Sequence, residues 1–349
     1  LPEIDVFTGV GDYDKIDLLV HEKRSAFSNE VFLASDENER IITGSSYHAY
    51  VKLSEGCNQA CSFCAIPSFK GKLHSRTLES LVKEVTNLVK KGYKDFSFVS
   101  QDSSSYLRDL GHNDGLEQLI DAVEKIDGVK TARILYLYPS TTTHNLIDKI
   151  ADSKVFVNYF DMPLQHISQN MLKIMKRGKG AEKLIELMNY MRSKPNSFVR
   201  TTFIAGHPGE SEDDFEELCS FVEEFGFDRG NVFSYSDEEG TSAETRDDKI
   251  EQELIDERAE ILGDIISQTT IKSLENDIGK SFEVYIDGES QEHEYLLSAR
   301  KTIWAPQIDG EIYINDNEDN IAIVFGEIYE VEATQLAGDK LLAKIIRKV

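Results

Sequence analysis

EGCNQACSFCAIP, at residues 55–67, holds three of the four cysteines of this 349-residue chain in the spacing Cys-x3-Cys-x2-Cys. Thiolates at Cys57, Cys61 and Cys64 would share one short loop, where each could bind one iron of a 4Fe–4S cubane. The fourth iron would then have no protein ligand and could take up a cofactor or substrate, as an open position does in other catalytic metal sites. The spacing therefore predicts an iron–sulfur centre, with these cysteines as its catalytic and metal-binding residues.

Two less specific interpretations of the cysteines remain open. Positions i, i+4 and i+7 share one face of a helix, so the three could simply be core residues. However, Gly56, Asn58 and Pro67 are poor residues for a helix interior. A structural zinc site would need a fourth ligand, and His74 is the only close candidate. We therefore favour the iron–sulfur centre and keep a non-catalytic zinc-binding module as an alternative.

Outward from the cysteines, short apolar runs alternate with amphipathic stretches from Tyr47 to about Asp237. This alternation is typical of repeated βα units. The predicted strands are Ala49–Leu53, Phe96–Ser100, Ala132–Leu137, Tyr159–Met162, Val199–Ala205 and Asn231–Tyr235. The predicted helices between them are Leu78–Lys91, Leu116–Lys125, His144–Ala151, Ala181–Arg192 and Glu212–Phe225. We expect an α/β fold with a partial (β/α)6, TIM-like barrel and a site at the carboxyl ends of its strands.

The pattern changes towards the C-terminus. A long charged helix is predicted from Lys249 to about Asn276, and Gly279 ends it. Short alternating segments follow, which are typical of a small antiparallel β-barrel: Phe282–Ile286, Glu294–Ser298, Glu311–Ile314, Ala322–Ile328 and Leu341–Ile345. We therefore divide the chain into a tail and linker with one or two strands (1–40), a catalytic domain (41–274) and a barrel domain (275–349).

Composition limits the function classes. Apolar residues make up 40% and charged residues 29%, as in ordinary globular proteins. No apolar run approaches the roughly 18 residues that a membrane span needs, and no signal sequence is visible. Four cysteines, three of them clustered, favour a reducing cytoplasm over a disulfide framework. The net charge of −25 disfavours binding to nucleic-acid phosphates.

Cys57-x3-Cys61-x-Phe63-Cys64 after a first strand resembles the radical S-adenosylmethionine (SAM) superfamily. In that superfamily an aromatic residue precedes the third cysteine, and its backbone lies close to the SAM adenine, so the resemblance implies this role for Phe63. It also implies that SAM chelates the open iron. An electron from the reduced cluster then breaks the S–C5′ bond and gives methionine and a 5′-deoxyadenosyl radical.

More of the chain resembles one group within the superfamily, the methylthiotransferases. The matching segments are GKLHSR (71–76), VSQD (99–102), MPLQH (162–166), RTTFIAGHPGE (200–210) and SYSDEEGTSA (234–243). The C-terminal barrel would be their TRAM domain. The resemblance implies that SAM is bound by Phe63, Ser75, Arg76, Gln101, Gln165, Arg200 and Gly206. Several have plainer explanations: Gln101 and Gln165 as surface residues, Arg76 in a surface ion pair, Gly206 as a turn glycine.

The methylthiotransferases modify either adenosine in tRNA or an aspartate of ribosomal protein uS12. The predicted barrel domain has 16 acidic and 7 basic residues between Glu275 and Val349. An RNA-binding barrel should be positive, whereas an acidic one suits a basic ribosomal protein. DMPLQH (161–166) and SYS (234–236) also look closest to the ribosomal-protein branch, the RimO family. We therefore expect methylthiolation of the aspartate β-carbon, with tRNA-adenosine methylthiolation as the alternative.

The chain departs from this family in one respect. Family members carry an N-terminal domain whose own three cysteines hold a second 4Fe–4S cluster, and no cysteine precedes Cys57 here. Residues 1–40 look like the trailing end of that domain, so we expect one cluster and SAM on this chain. The resemblance further implies an electron donor such as flavodoxin or ferredoxin. Direct tRNA binding and membrane association are not expected.

Overall fold

A parallel sheet forms the larger part of the molecule. The computed structural model describes residues 3–28, 30–36, 40–317 and 321–349. Its elements up to the last strand of this sheet are α1 (Ile16–Glu22), β1 (His48–Lys52), β2 (Ser54–Glu55), α2 (Ile66–Lys70), β3 (His74–Ser75), α3 (Leu78–Lys90), β4 (Asp95–Val99), α4 (Gly115–Val123), β5 (Thr131–Ile134), α5 (His144–Ala151), β6 (Phe156–Asp161), α6 (Gln169–Ile174), α7 (Ala181–Arg192), β7 (Phe198–Ala205), α8 (Glu212–Phe225) and β8 (Arg229–Ser234). The sheet order is β1-β4-β5-β6-β7-β8, and every neighbouring pair is parallel. The predicted partial barrel is therefore confirmed.

Local sequence explains how the helices cover the sheet. The side chain of Thr77 accepts a hydrogen bond from the Ser80 amide and begins α3, while Ser211 and Asp214 form a capping box at the start of α8. Both helices present apolar residues at helical spacing to the fully buried residues of the sheet, such as Phe96. Because parallel strands end at one edge, the loops that follow them gather there.

The remaining elements are the long helix and a closed barrel: α9 (Gln252–Glu275), β9 (Ser281–Glu289), β10 (Leu297–Lys301), β11 (Ile312–Asp316), β12 (Ile328–Ala337) and β13 (Lys340–Lys348). The barrel order is β10-β11-β13-β12-β9. Four of its five pairs are antiparallel, as predicted, but β11 and β13 are parallel. The reason is topological: β12 lies between β13 and β9, so β13 pairs with β11 after one strand is skipped.

Three strand predictions need correction. The fourth barrel strand is Ile328–Ala337, whereas the pattern predicted Ala322–Ile328. Ala322 and Val324 lie instead in a loop that the Tyr329 hydroxyl holds by two hydrogen bonds to their backbone. The second barrel strand begins at Leu297, three residues later than predicted. In the described part of 1–40, the expected strands are replaced by α1 and an isolated bridge between residues 8 and 26.

A loop of the barrel packs against the sheet. We call residues 302–309, between β10 and β11, the plug loop. Its backbone oxygens accept hydrogen bonds from the Tyr50 hydroxyl on β1 and from Arg133 on β5. Arg229 on β8 donates to the oxygen of the last plug-loop residue. Since these three strands span the sheet, the plug loop underlies most of its width. Within the described residues, no helix is long and apolar enough to cross a bilayer.

Candidate active site

A cavity of about 760 Å³ opens at the carboxyl edge of the parallel sheet. Lys52, Val99, Ile204 and Ser234, at or next to the ends of four strands, contribute to its wall. Seven of the predicted site residues line it: Cys57, Cys61, Phe63, Cys64, Gln101, Gln165 and Arg200. The structure therefore brings the cysteine loop together with three polar side chains that lie 44 to 143 residues beyond Cys57 in sequence.

Backbone contacts fix the entry into the cysteine loop. Gly56 has φ +76°, and a Cβ added there would lie 2.2 Å from the Lys72 oxygen. A side chain would therefore be both strained and blocked at this position. The Cys57 amide donates to the Gly71 oxygen at 3.2 Å, and the Leu73 amide donates to the side-chain oxygen of Asn58 at 3.1 Å. The loop is thus tied to the segment that follows it.

Ser62 anchors the middle of the loop. Its amide donates to the Met175 backbone oxygen at 3.1 Å, and its backbone oxygen accepts from the Ala243 amide at 2.9 Å. Its hydroxyl lies 2.9 Å from Nε2 of His207, which is fully buried. Burial lowers the pKa of His207, so this anchor is a neutral hydrogen-bonding group. The positions of the neighbouring cysteines are therefore set by buried contacts.

Arg177 and Tyr138, which the sequence analysis did not identify, stand beside the second cysteine. Nη1 of Arg177 donates to Sγ of Cys61 at 3.2 Å, and the Tyr138 hydroxyl lies 3.6 Å from the same sulfur. The guanidinium lies over the Tyr138 ring at 4.4 Å and also donates to the Pro163 oxygen at 2.5 Å. A fixed positive charge therefore faces one of the three sulfurs.

The cysteine loop offers three thiols at the cavity, the number that a cubane takes from a protein when one iron is left open. Burial raises the pKa of Cys57 to about 11 and also raises that of Cys64, so a bound metal would have to displace their protons. Among the residues that the structure describes, no three Cys, His, Asp or Glu side chains converge as the ligands of a single ion would. A cubane binds its thiolates through different irons, and wider spacing is therefore expected for it.

Gln101 and Gln165 leave buried acceptors at the cavity. The side-chain oxygen of each has no hydrogen-bond partner. Gln165 has φ +72°, a conformation that costs free energy in a residue with a side chain. Its backbone pairs with β7. The Gln165 amide donates to the Thr202 oxygen at 2.8 Å, and the Gln165 backbone oxygen accepts from the Ile204 amide at 2.9 Å. Two unpartnered oxygens suit a ligand rich in N–H and O–H groups, as the adenosine and ammonium parts of SAM are.

Arg200 is held between two buried carboxylates. Its Nη1 donates to Oδ1 of Asp161 at 3.0 Å, and its Nε lies 3.5 Å from Oδ1 of Asp309 in the plug loop. With the Asn231 amide oriented to accept, Nη2 donates to its oxygen at 2.8 Å. Burial raises the pKa of Asp309 to about 6 and also raises that of Asp161, although Arg200 opposes both shifts.

Ser75 and Arg76 do not line the cavity. The Arg76 side chain is 3% exposed, with Nη1 donating to Glu84 at 2.5 Å and Nη2 donating to Ser80 at 3.0 Å. Nη1 also donates to the Lys52 oxygen at 3.1 Å, so this buried ion pair ties α3 to the end of β1. The Ser75 hydroxyl accepts from the Leu107 amide at 2.9 Å. Both side chains are used within the protein, which accounts for their distance from the cavity.

Gly206 also lies outside the cavity wall, in the turn after β7. Its amide donates to the carboxylate of Glu210, which also accepts from Arg258 of α9 at 2.7 Å. Its φ is +79°, and a Cβ would lie 2.5 Å from Ile255. This position needs glycine because α9 approaches so closely.

The charge of the cavity is opposite to that of the molecule. Its described lining contains four basic residues, Arg40, Lys52, Arg177 and Arg200, and one acidic residue, Glu238. The whole chain carries a net charge of −25. A positive recess within a negative surface attracts anionic groups into the recess and basic partners to the surface around it.

Comparison with known proteins is consistent across both domains. Residues 51–222 match the radical SAM superfamily and residues 278–346 match the TRAM domain. The chain is 80% identical over 349 residues to ribosomal protein uS12 methylthiotransferase RimO of Aliarcobacter butzleri strain RM4018, covering 99% of this chain and 78% of that protein. It is 62% identical to the RimO of Sulfurovum sp. strain NBC37-1, covering 100% and 79%.

Among solved structures, coproporphyrinogen III oxidase (HemN) from Escherichia coli, a radical SAM enzyme, aligns with a TM-score of 0.51 and 15% identity over 65% of this chain and 54% of that chain. This likeness supports the fold. The family implies a 4Fe–4S cluster and SAM as cofactors. Sequence identity of this extent over the whole chain shows that it belongs to the ribosomal protein uS12 methylthiotransferase (RimO) family of radical SAM transferases.

Proposed function

We propose that this chain acts on an aspartate of ribosomal protein uS12 and that its reaction adds a methylthio group to the β-carbon of that residue. The observation that carries the proposal is the positive cavity of an acidic protein, with four basic residues and one acidic residue in its described lining. Ribosomal proteins are basic, so the surface would attract the partner while the cavity receives its acidic side chain. The names of the relatives support the same substrate.

Roles for the lining residues follow from their positions. Cys57, Cys61 and Cys64 would hold the cluster, and Gln101 and Gln165 would accept hydrogen bonds from SAM through their unpartnered oxygens. With a cluster and SAM held there, the site would supply radical chemistry able to remove a hydrogen atom from carbon. The protein must then hold the target C–H bond near that radical, since orientation decides which bond reacts.

Basic residues would orient the substrate carboxylate. Lys52 and Arg200 line the same cavity, and each is fixed by buried carboxylates, Glu55 for the lysine and Asp161 for the arginine. Tyr136 and Phe233 also line the cavity and are 42% and 60% exposed, so they could cover apolar parts of the bound segment and reduce access of water.

The proposal extends to features that the family suggests. We infer that the transferred sulfur comes from a second 4Fe–4S cluster on the N-terminal domain of the family, and that flavodoxin or ferredoxin supplies the electron. We further infer a division at residues 1–40, 41–274 and 275–349, and action in the cytoplasm, where ribosomal proteins are found. Phe63, which lines the cavity, would lie near the adenine.

Hydrogen abstraction tests the proposal directly. The protein is reconstituted with iron and sulfide without oxygen, then given SAM, a reductant and a uS12 peptide whose target aspartate carries deuterium at the β-carbon. We expect deuterium in the 5′-deoxyadenosine product. C61S should abolish both the brown colour of the cluster and this transfer. Deuterium that stays in the peptide, together with turnover on adenosine in tRNA, would show that the substrate is RNA.

A further inference from the structure

The plug loop brings a buried carboxylate from the barrel domain to the underside of the catalytic cavity. Asp309 is fully buried, and its Oδ2 accepts from the Ala305 amide at 2.7 Å. Its backbone oxygen accepts from Nε of Arg229 at 2.6 Å, which ties the end of the loop to β8. The Arg229 guanidinium in turn lies over the Trp304 ring at 4.8 Å. The carboxylate is therefore held from both sides.

Asp309 faces one member of the cavity wall. Its Oδ1 lies 3.5 Å from Nε of Arg200, and it accepts no hydrogen bond there. The tightest contact of Arg200 is instead with Asp161 of β6. The Tyr159 hydroxyl of β6 also faces the Asp309 carboxylate. Burying a carboxylate costs free energy even with these neighbours, so Asp309 is a poor choice for stability alone.

Asp161 and Asp309 contact different parts of the Arg200 guanidinium. Asp161 and Asn231 contact the Nη atoms at the end of the guanidinium, whereas Asp309 approaches the Nε edge from the plug loop. Removing the Nε partner would leave the Nη contacts in place but free the plane of the guanidinium to tilt. Because a planar fork recognises a carboxylate only in the correct plane, a small tilt would weaken binding in the cavity.

We propose that Asp309 is a positioning residue supplied by the barrel domain, and that it orients Arg200 to receive a carboxylate in the catalytic cavity. This proposal rests on the proposed function. It gives the barrel domain a role in completing the catalytic site, in addition to any part that the barrel takes in recruiting the partner. Two carboxylates could be the ligand, that of the methionyl part of SAM and that of the target aspartate.

Asp309→Asn keeps the size of the side chain and an oxygen for the Ala305 amide while removing the charge. We expect D309N to weaken one of two constants about five- to tenfold: the Kd for SAM, measured by anaerobic calorimetry on the reconstituted protein, or the KM for the uS12 peptide. A change in the first assigns Arg200 to SAM, and a change in the second assigns it to the substrate. D339N, which alters an exposed barrel aspartate, is the matched control and should change neither.

A double-mutant cycle separates positioning from a structural role. If Asp309 acts through Arg200, D309N should add less than twofold to the loss already caused by R200K, because the two changes remove one interaction. Additive losses would overturn the proposal, and so would unchanged SAM Kd and peptide KM in folded D309N. The proposed function itself fails if the unmodified protein does not react with uS12, an outcome that is measured without any change at Asp309.

Stability provides the remaining check. Because burial raises the pKa of Asp309, its charged form opposes folding above about pH 6, and D309N should melt no lower than the unmodified protein at pH 7.5. Fluorescence of Trp304, the single tryptophan of the chain, reports whether the plug loop stays in place. If D309N does not fold, R229K loosens the same carboxylate through its backbone, and the same binding constants decide.

Discussion

At the scale of single residues, the main discovery is a fixed cation beside the cysteine cluster. Arg177 is separated from Cys61 by 116 residues in sequence, yet its Nη1 lies 3.2 Å from the sulfur. Its side chain is buried, and the ring of Tyr138 and the Pro163 oxygen hold it in place. A positive charge at this distance favours the more negative, reduced form of any cluster bound there.

Replacing Arg177 should therefore make the cluster harder to reduce. One charge at about 5 Å in a medium of effective dielectric about 20 is worth roughly 3 kcal/mol, which corresponds to a shift on the order of 100 mV. We expect R177Q to lower the midpoint potential by about that amount, measured by anaerobic redox titration with electron paramagnetic resonance. R177K keeps the charge and should shift it much less. Equal potentials in all three proteins would contradict this account.

The local part of the site was predictable from sequence, and the distant part was not. The three cysteines and Phe63 lie within eight residues, so their spacing alone indicates the chemistry. Arg177 follows α6 in a run of basic residues that carries no motif, and only the fold brings it to the sulfurs. Arg76 shows the opposite case: it is close to the cysteines in sequence, but the partly buried carboxylate of Glu84 holds its side chain away from the cavity.

His48 on β1 gives a prediction about pH. Burial lowers its pKa to about 3, although the nearby Asp95 carboxylate raises it, and its Nε2 lies 3.0 Å from the Ser97 hydroxyl. Between pH 6.5 and 3 the unfolded chain therefore binds a proton that the folded chain does not, and stability falls as the pH falls. Relative to H48Q, the protein should lose about 2 kcal/mol between pH 7 and pH 5.

Urea unfolding of both proteins across that range measures this difference directly. The comparison between variants is needed because Asp287 and Asp309, whose pKa values burial raises to about 6, change stability in the opposite direction over the same range. Parallel pH profiles for the two proteins would show that His48 does not titrate as proposed.

At the scale of elements, the turn after β7 joins the catalytic sheet to the long helix. Glu210 accepts hydrogen bonds from the Gly206 amide and from Arg258 of α9, so one carboxylate closes the turn and fixes the helix. Ile255 of the same helix packs where a Cβ of Gly206 would stand. The GHPGE segment (206–210) thus lies behind the strands that line the cavity and supports them.

Gly206→Ala should be strongly destabilising. Its φ of +79° costs about 1 kcal/mol in a residue with a side chain, and the clash with Ile255 at 2.5 Å should add about 2 kcal/mol or more. Gly240 is a matched control, because it has the same φ and no atom within 4 Å of an added Cβ. Urea unfolding should show that G240A loses only the backbone cost of about 1 kcal/mol. Equal losses would mean that α9 moves away freely.

Strand prediction was more accurate in the parallel sheet than in the barrel. The first five strands of the parallel sheet are largely buried, β8 is not, and the predicted bounds of all six agree with the structure within a few residues. In the barrel, Ala322–Ile328 alternates like a strand but forms a loop held by Tyr329. The actual strand, Ile328–Ala337, contains Thr334 and Gln335, whose polarity resembles a turn. Such a choice depends on pairing partners elsewhere in the chain.

At the scale of the whole molecule, a buried ion network joins the two domains. Asp95 of β4 accepts from Arg133 of β5 at 2.8 Å and from Arg300 of β10 at 2.5 Å, and all three side chains are at most 1% exposed. Arg133 also donates to the plug loop. Because Arg300 meets Asp95 only when the barrel is docked, separating the domains would remove this contact and expose the Asp95–Arg133 pair to water.

The two domains should therefore unfold as one unit, and Asp95→Asn should weaken both. Removing the shared carboxylate leaves Arg133 with only neutral partners and Arg300 with only Asp287 at 3.5 Å, and breaking a buried ion pair in this way typically costs about 3–5 kcal/mol. We expect calorimetry to show a single transition for the unmodified protein and a lower one for D95N. D121N breaks the surface pair of Asp121 with Lys149 and should cost less than about 1 kcal/mol. Two separate transitions in the unmodified protein would show that the barrel docks loosely, and the carboxylate it offers to the cavity could not then hold Arg200 in a fixed plane.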